Sequence, residues 1–216
     1  MEDASSKDQI LDAAQTLFAA QGFSATTIKQ IAQSAGVNGA LLYYYFADKE
    51  RLYHAVLQRL AGRLISRTMM PLQADAPPPE RIRGFVKAQV ETFMAIPEIP
   101  RLFMREMLDH DAAHAVEQIA HLAATSFKGL CDTITDGQNQ GTFRSDLDPK
   151  FAAISIVAQV VYFFLARPAV RILLNTGKDI PQETALQFAR HASNFALAAL
   201  STGASGSGKP PKGRKS

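Results

Sequence analysis

Residues Thr26 to Glu50 read TTIKQIAQSAGVNGALLYYYFADKE, and this stretch decides the fold. Thr27 is placed to cap a helix whose apolar positions, Ile28, Ile31 and Ala32, recur at three- and four-residue spacing. Gly36 sits where that helix must stop and the chain must turn sharply, a conformation that a residue lacking a Cβ adopts at least cost. Asn38 can then cap a second helix, Gly39 to Tyr45, with Leu42 and Phe46 facing inward. Val37, between the two, is placed to plug their crossing. Two helices so joined form a helix-turn-helix, a motif whose second helix enters the DNA major groove.

Around this motif, the pieces TTIKQIAQSAGV, LYYYF and DKE follow an amphipathic helix that ends in AQTLFAAQGF. With that helix and the aromatic cluster at these offsets, the first fifty or so residues resemble the TetR family of transcriptional regulators. Where a Ser-Lys-Gly-Thr type stretch is common in the family, this chain has Asn38, Gly39, Ala40 and Leu41. Apolar side chains thus replace some of the small polar ones that touch bases. The resemblance implies a homodimer on a palindromic double-stranded operator, most simply a repressor released by a small effector. By analogy with the matching family positions, Tyr44 and Lys49 are expected at phosphates. Tyr43 and Tyr45 can share either role.

The side chains themselves suggest how bases are read. Asn38 can hydrogen-bond to base edges if capping does not occupy it, and Ala40 and Leu41 offer apolar contact to thymine methyls. Bulk charge does not drive the binding. The whole chain carries a formal +3, yet residues 1–50 hold only Lys7, Lys29 and Lys49 against six acidic residues. Phosphate contact must come from placement, through helix N-termini, Thr27, Lys29, Lys49 and the tyrosine hydroxyls. Arg51, Arg59, Arg63 and Arg67 read as a solvated face of the next helix.

Composition is consistent with an all-α protein. Hydrophobic residues make up 47% of the 216, helical periodicity is widespread and strand-like alternation is scarce. No run of eighteen apolar residues suggests a membrane span, and MEDASSKDQ lacks the layout of a secretion signal. The single cysteine, Cys131, excludes an intrachain disulfide and fits a reducing cytoplasm.

The expected organisation has about nine helices. A helix from Ser5 to Gln21 and the two motif helices form a DNA-binding domain over 1–47. A long helix then runs from Asp48 to Met70. Further helices are expected over Pro79–Ala95, Arg101–His110, Ala112–Gln140, Pro149–Asn175 and Pro181–Leu200. These complete a ligand-binding and dimerisation domain over 48–202. A basic tail over 203–216, rich in Gly, Ser, Lys and Pro, is expected to be disordered.

Two late segments are apolar on more than one face and so should be buried on more than one face. A four-helix bundle between two copies would do this, with Val157, Val161, Phe188 and Phe195 at its centre. Burial within one subunit is the other way to satisfy the same pattern. Phe85, Gln89, Phe93, Met104, Leu108, Phe127, Tyr162 and Phe163 supply the material for an apolar pocket with a few polar anchors.

Other chemistry finds little support. His110 and His114 stand four apart in an HDAAH run, with only Asp109 or His121 offering a third ligand, so a surface or capping role is expected and no metal. Cys131 reads as an inert thiol. No cofactor is implied, and no nucleophile–base pair suggests an enzyme. Besides the ligand-relieved regulator, an architectural or protein-partnered DNA-binding dimer without an effector fits the same sequence.

Overall fold

A computed structural model describes residues 2–202, with side-chain environments from Ser6 onward. The described chain is helical, with no strand beyond one isolated bridge between Phe143 and Ser201. Helix α1 (Glu2–Gln21), α2 (Ile28–Ala35) and α3 (Gly39–Tyr45) make a three-helix head, and α4 (Lys49–Leu72) leads out of it. Ile10, Ala14, Phe18, Ile31, Leu42 and Phe46 bury the head's interior. Withdrawing such side chains from water stabilises by about 1.5–3 kcal/mol each.

The body is built from α5 (Pro78–Ala95), α6 (Glu98–His110), α7 (Val116–Leu122), α8 (Lys128–Asn139), α9 (Pro149–Leu165), α10 (Arg167–Leu174) and α11 (Gln182–Leu200). Helix α5 runs through its middle, burying Ile82, Val86 and Val90. The buried face of α11 carries Ala185, Ala189, Ala192 and Ala196, small side chains that let it lie close to α5. On the other side α5 meets α4 at Gly84, where an added Cβ would stand 2.6 Å from the Cβ of Pro71.

Two of the expected helices are each broken in two, for identifiable reasons. Within 112–140 the chain first passes Asp111 and Ala112, with φ of 49° and 61°. Left-handed backbone cannot continue an α-helix, so α7 begins only at Val116. A π-turn, Ala123–Phe127, then separates α7 from α8. Within 149–175 the interruption is Pro168, which lacks an N–H and disfavours helical backbone before it. Helices α9 and α10 consequently meet at a bend of 81°. Among the described residues no single helix is long and apolar enough to cross a membrane.

Candidate nucleic-acid interface and buried cavity

Local hydrogen bonds fix the head's geometry. Thr27 and Gln30 form a reciprocal capping box: the Gln30 N–H donates to Thr27 Oγ1 at 3.2 Å, and the Thr27 N–H to Gln30 Oε1 at 2.9 Å. Gly36 ends α2 in the left-handed conformation, φ 67°, donating its N–H to α2 carbonyls. Asn38 Oδ1 then accepts from the Leu41 N–H at 2.7 Å. Its carbonyl oxygen is therefore held by the cap, and only its amide NH2 is left to face a base.

Thr27, Lys29, Asn38, Gly39 and Ala40 are exposed, Leu41 is half-buried, and Tyr43 and Tyr44 are 56% and 74% exposed. These residues form one outward face across α2 and α3. Tyr45 is half-buried against the core, with its ring edge-on to Tyr44 at 5.2 Å.

Lys49 departs from its expected role. Its ammonium donates to the carbonyls of Phe23 at 3.0 Å and Thr26 at 3.1 Å, and lies 4.3 Å from the Phe23 ring centre. The side chain thus clamps the α1–α2 corner, because that corner leaves two backbone carbonyls without a helical partner. One N–H remains for a phosphate. Arg59 likewise does not belong to a solvated face: it pairs with Asp12 at 2.8 Å and donates to Gln15, tying α4 to α1. Arg51, Arg63 and Arg67 remain exposed.

Beneath the head, α4 is fastened to α6. The Tyr53 hydroxyl donates to Oε2 of Glu106 at 2.9 Å, and Glu106 is fully buried. Burial and the neighbouring carboxylate push Tyr53 far above the ordinary tyrosine range, so it stays protonated and keeps donating. The backbone N–H of His114 donates to Glu106 Oε1 at 2.8 Å, and its Nδ1 lies 2.9 Å from the same oxygen.

Further down, α4 borders a cavity of about 230 Å³. Leu64 and Thr68 of α4 face it, across from Phe85, Gln89 and Phe93 of α5, and Met104, Phe127, Val157 and Val161 complete much of the wall. The polar groups are few. The Thr68 and Ser126 hydroxyls bond to each other at 2.8 Å. Gln89 is 3% exposed, and its Oε1 has no hydrogen-bond partner among the described residues.

Of the expected pocket residues, Phe85, Gln89, Phe93, Met104 and Phe127 line this space. Three do not. Leu108 and Tyr162 point outward, 77% and 68% exposed, and Phe163 is buried against Phe188, the rings stacked at 3.9 Å. The expected dimer residues divide as well. Val157 and Val161 turn into the cavity, and Phe188 is held by Phe163, because α9 meets α5 and α6 on one side and α11 on another. Phe195 alone of the four is openly exposed, at 62%. It shares its outer face with Phe151 and Ile154. Cys131 is half-buried, and burial raises its thiol above the usual range.

Comparison with known proteins accounts for both parts of the chain. Residues 10–56 match the model of bacterial regulatory proteins of the tetR family, and residues 78–192 match the tetracyclin repressor-like C-terminal domain. The HTH-type transcriptional repressor NicS of Pseudomonas putida is 30% identical over 161 residues, spanning 73% of this chain and 74% of that one. The HTH-type transcriptional repressor KstR2 of Mycolicibacterium smegmatis is 28% identical over 153 residues, 68% and 72% of the two chains. Among solved structures, KstR2 of Mycobacterium tuberculosis superposes with a TM-score of 0.73 at 24% identity, covering 90% of this chain and 94% of that one. With its capped helix-turn-helix, its outward face on α2 and α3 and both family models matched, the chain belongs to the TetR family and is a DNA-binding transcriptional regulator, not an enzyme.

Proposed function

We propose that this regulator acts in the cytoplasm as a homodimeric repressor and leaves its operator when a small, uncharged, largely apolar molecule fills the body cavity. The observation that carries this reading is the position of the cavity. Leu64 and Thr68 belong to the same helix that holds the head, so an occupant of the cavity touches that helix directly. Among the described residues no charged side chain lines the space, so an ionic group would be desolvated there without a counter-charge. The orphan Oε1 of Gln89 calls for one donor on the ligand, a hydroxyl or an amide N–H. A ligand can shift the equilibrium only by binding the released state better than the DNA-bound one.

The outer face of α9 and α11 is the surface on which two copies would pair, with Phe151, Ile154 and Phe195 exposed together. Two recognition helices must reach successive major grooves, about 34–36 Å apart or an equivalent wider spacing. Base reading falls to Asn38, Ala40 and Leu41, and Thr27, Lys29, Tyr43 and Tyr44 are placed for the backbone.

The test starts with fragments of genomic DNA selected on the purified protein. Uncharged apolar compounds that raise its melting temperature are then added to the protein–operator complex. Release of operator by such compounds, lost in a variant whose cavity is filled by Ser126→Phe, is the expected outcome. Compounds that stabilise the protein yet leave operator affinity unchanged would show the cavity to be uncoupled from DNA, as an architectural dimer requires.

A further inference from the structure

Outside the DNA face and the cavity, one cluster of ligating side chains has no assigned role. Glu106, His110 and His114 each offer a ligand atom, and these atoms lie within 4.8 Å of one another. We propose that they form a binding site for a divalent transition-metal ion of the zinc class.

The chain brings them together by an unusual route. Glu106 and His110 are one helical turn apart on α6 and share a face. His114 would lie about 12 Å beyond Glu106 if the helix ran on at about 1.5 Å per residue. Instead Asp111 and Ala112 both take left-handed backbone, and the chain folds back on itself. His114 Nδ1 thereby comes 2.9 Å from the Glu106 carboxylate, and its ring centre 5.0 Å from that of His110. Neither residue is a glycine, so the reversal is held against a conformational preference.

The donor set suits the ion. Two imidazoles and one carboxylate are a recurrent three-ligand zinc set that leaves a fourth position open. Bonds of about 2.0–2.1 Å in a tetrahedron separate ligand atoms by roughly 3.3 Å. The Glu106–His114 distance is close to that already, and His110 needs a shift of its side-chain end only. The metal takes the place of the hydrogen between Nδ1 and Oε1, and the ring then carries its proton on Nε2. Tyr53 continues to donate to the other carboxylate oxygen, Oε2, as an outer partner that orients the ligand. Other ionisable groups nearby are engaged elsewhere: Asp109 faces Arg105 at 3.8 Å, and Glu50 faces His54 at 3.8 Å.

The location gives the site its consequence. Rings of Phe23, from the α1–α2 corner, and Tyr53, from α4, pack on His114 at 4.8 Å and 5.6 Å. An ion would stiffen the turn on which the head rests. This inference is independent of the effector reading.

Zinc chloride titrated into the metal-stripped protein, followed by calorimetry and by melting temperature, tests it. One zinc per chain and a raised melting temperature are expected. Cobalt in its place should give the visible bands of a low-coordinate site. His110→Ala should weaken zinc binding by roughly a hundredfold, since loss of even an outer partner costs about 10–100-fold. His191→Ala, on distant α11, should leave it unchanged. His110 is half-buried, and circular dichroism without metal checks that its variant is folded. No zinc uptake by the wild-type chain, or equal affinity in folded His110→Ala, would overturn the proposal.

Discussion

The two ends of α4 sit in opposite surroundings. At its start, Asp48 accepts from the Arg51 N–H at 2.7 Å, Lys49 holds two loop carbonyls, and Tyr53 is bonded to a buried carboxylate. Near its end, Leu64 and Thr68 face a void walled by a π-turn, and the polar group across from them, Gln89 Oε1, is unpartnered. The first end is fastened by hydrogen bonds, and the second is slack only where it borders the cavity, since Thr68 bonds to Ser126 and Pro71 packs on α5 at Gly84. Were an occupant of the cavity to push on Leu64 and Thr68, the rigid helix would carry that push toward the head as a tilt about its bonded end. A tilt of about 5° displaces one end of a helix roughly 36 Å long by about 3 Å relative to the other. In a dimer, displacements of that size would matter to two recognition helices entering two grooves together.

The fastened end should be the more costly to disturb. Tyr53→Ala removes a ring packed against Phe18 and Phe23 together with its hydrogen bond, and should destabilise by about 3–5 kcal/mol in urea unfolding. A loss below about 1 kcal/mol would mean that this end is not held as described. Tyr53→Phe keeps the ring and leaves the buried Glu106 short of one donor, for an expected loss of about 1–3 kcal/mol. If Tyr53→Phe matched the wild type, Glu106 would have to be served by His114 alone. Thr27→Ala opens the capping box at the head and should cost about 1 kcal/mol, visible as earlier exchange of the α2 amides. Smallest of all is Gln89→Leu at the slack end. Because its Oε1 bonds to nothing, stability should stay within about 0.5 kcal/mol of wild type or rise, while polar ligands lose affinity. A large loss there would show a hidden partner for Gln89 and erase the contrast.

The head was legible in the sequence because its instructions are local. Thr27 with Gln30, Gly36, Asn38 and Asp48 each act within four residues, and the structure has each in its capping role. The body was legible as helices but not in its facing. Helix α9 is apolar nearly all round, so no periodicity tells which side of Val157 or Val161 looks inward. Only the packing of α5, α6 and α11 around it decides. The bend at Pro168 was a local signal that the reading of 149–175 as one helix passed over. The meeting of Glu106 with His114 was not legible, since they stand eight positions apart and on different segments, and meet only because Asp111 and Ala112 fold the chain back after α6. Lys49 shows the same limit at the head, since the carbonyls that hold it lie more than twenty residues earlier.

The π-turn at Ala123–Phe127 bears on how this cavity could change. Hydrogen bonds closing over five residues hold one residue more per turn than those closing over four. The wall formed by Leu122, Ser126 and Phe127 is thus one residue longer than a plain α-helix requires. Deleting one residue there would let α7 run into α8 as plain α-helix, with the side chains beyond it keeping their faces, because the turn holds its surplus residue locally. In this segment the loss of one residue changes the cavity wall alone, whereas the same loss within α7 or α8 would turn every side chain beyond it by about 100° about the helix axis.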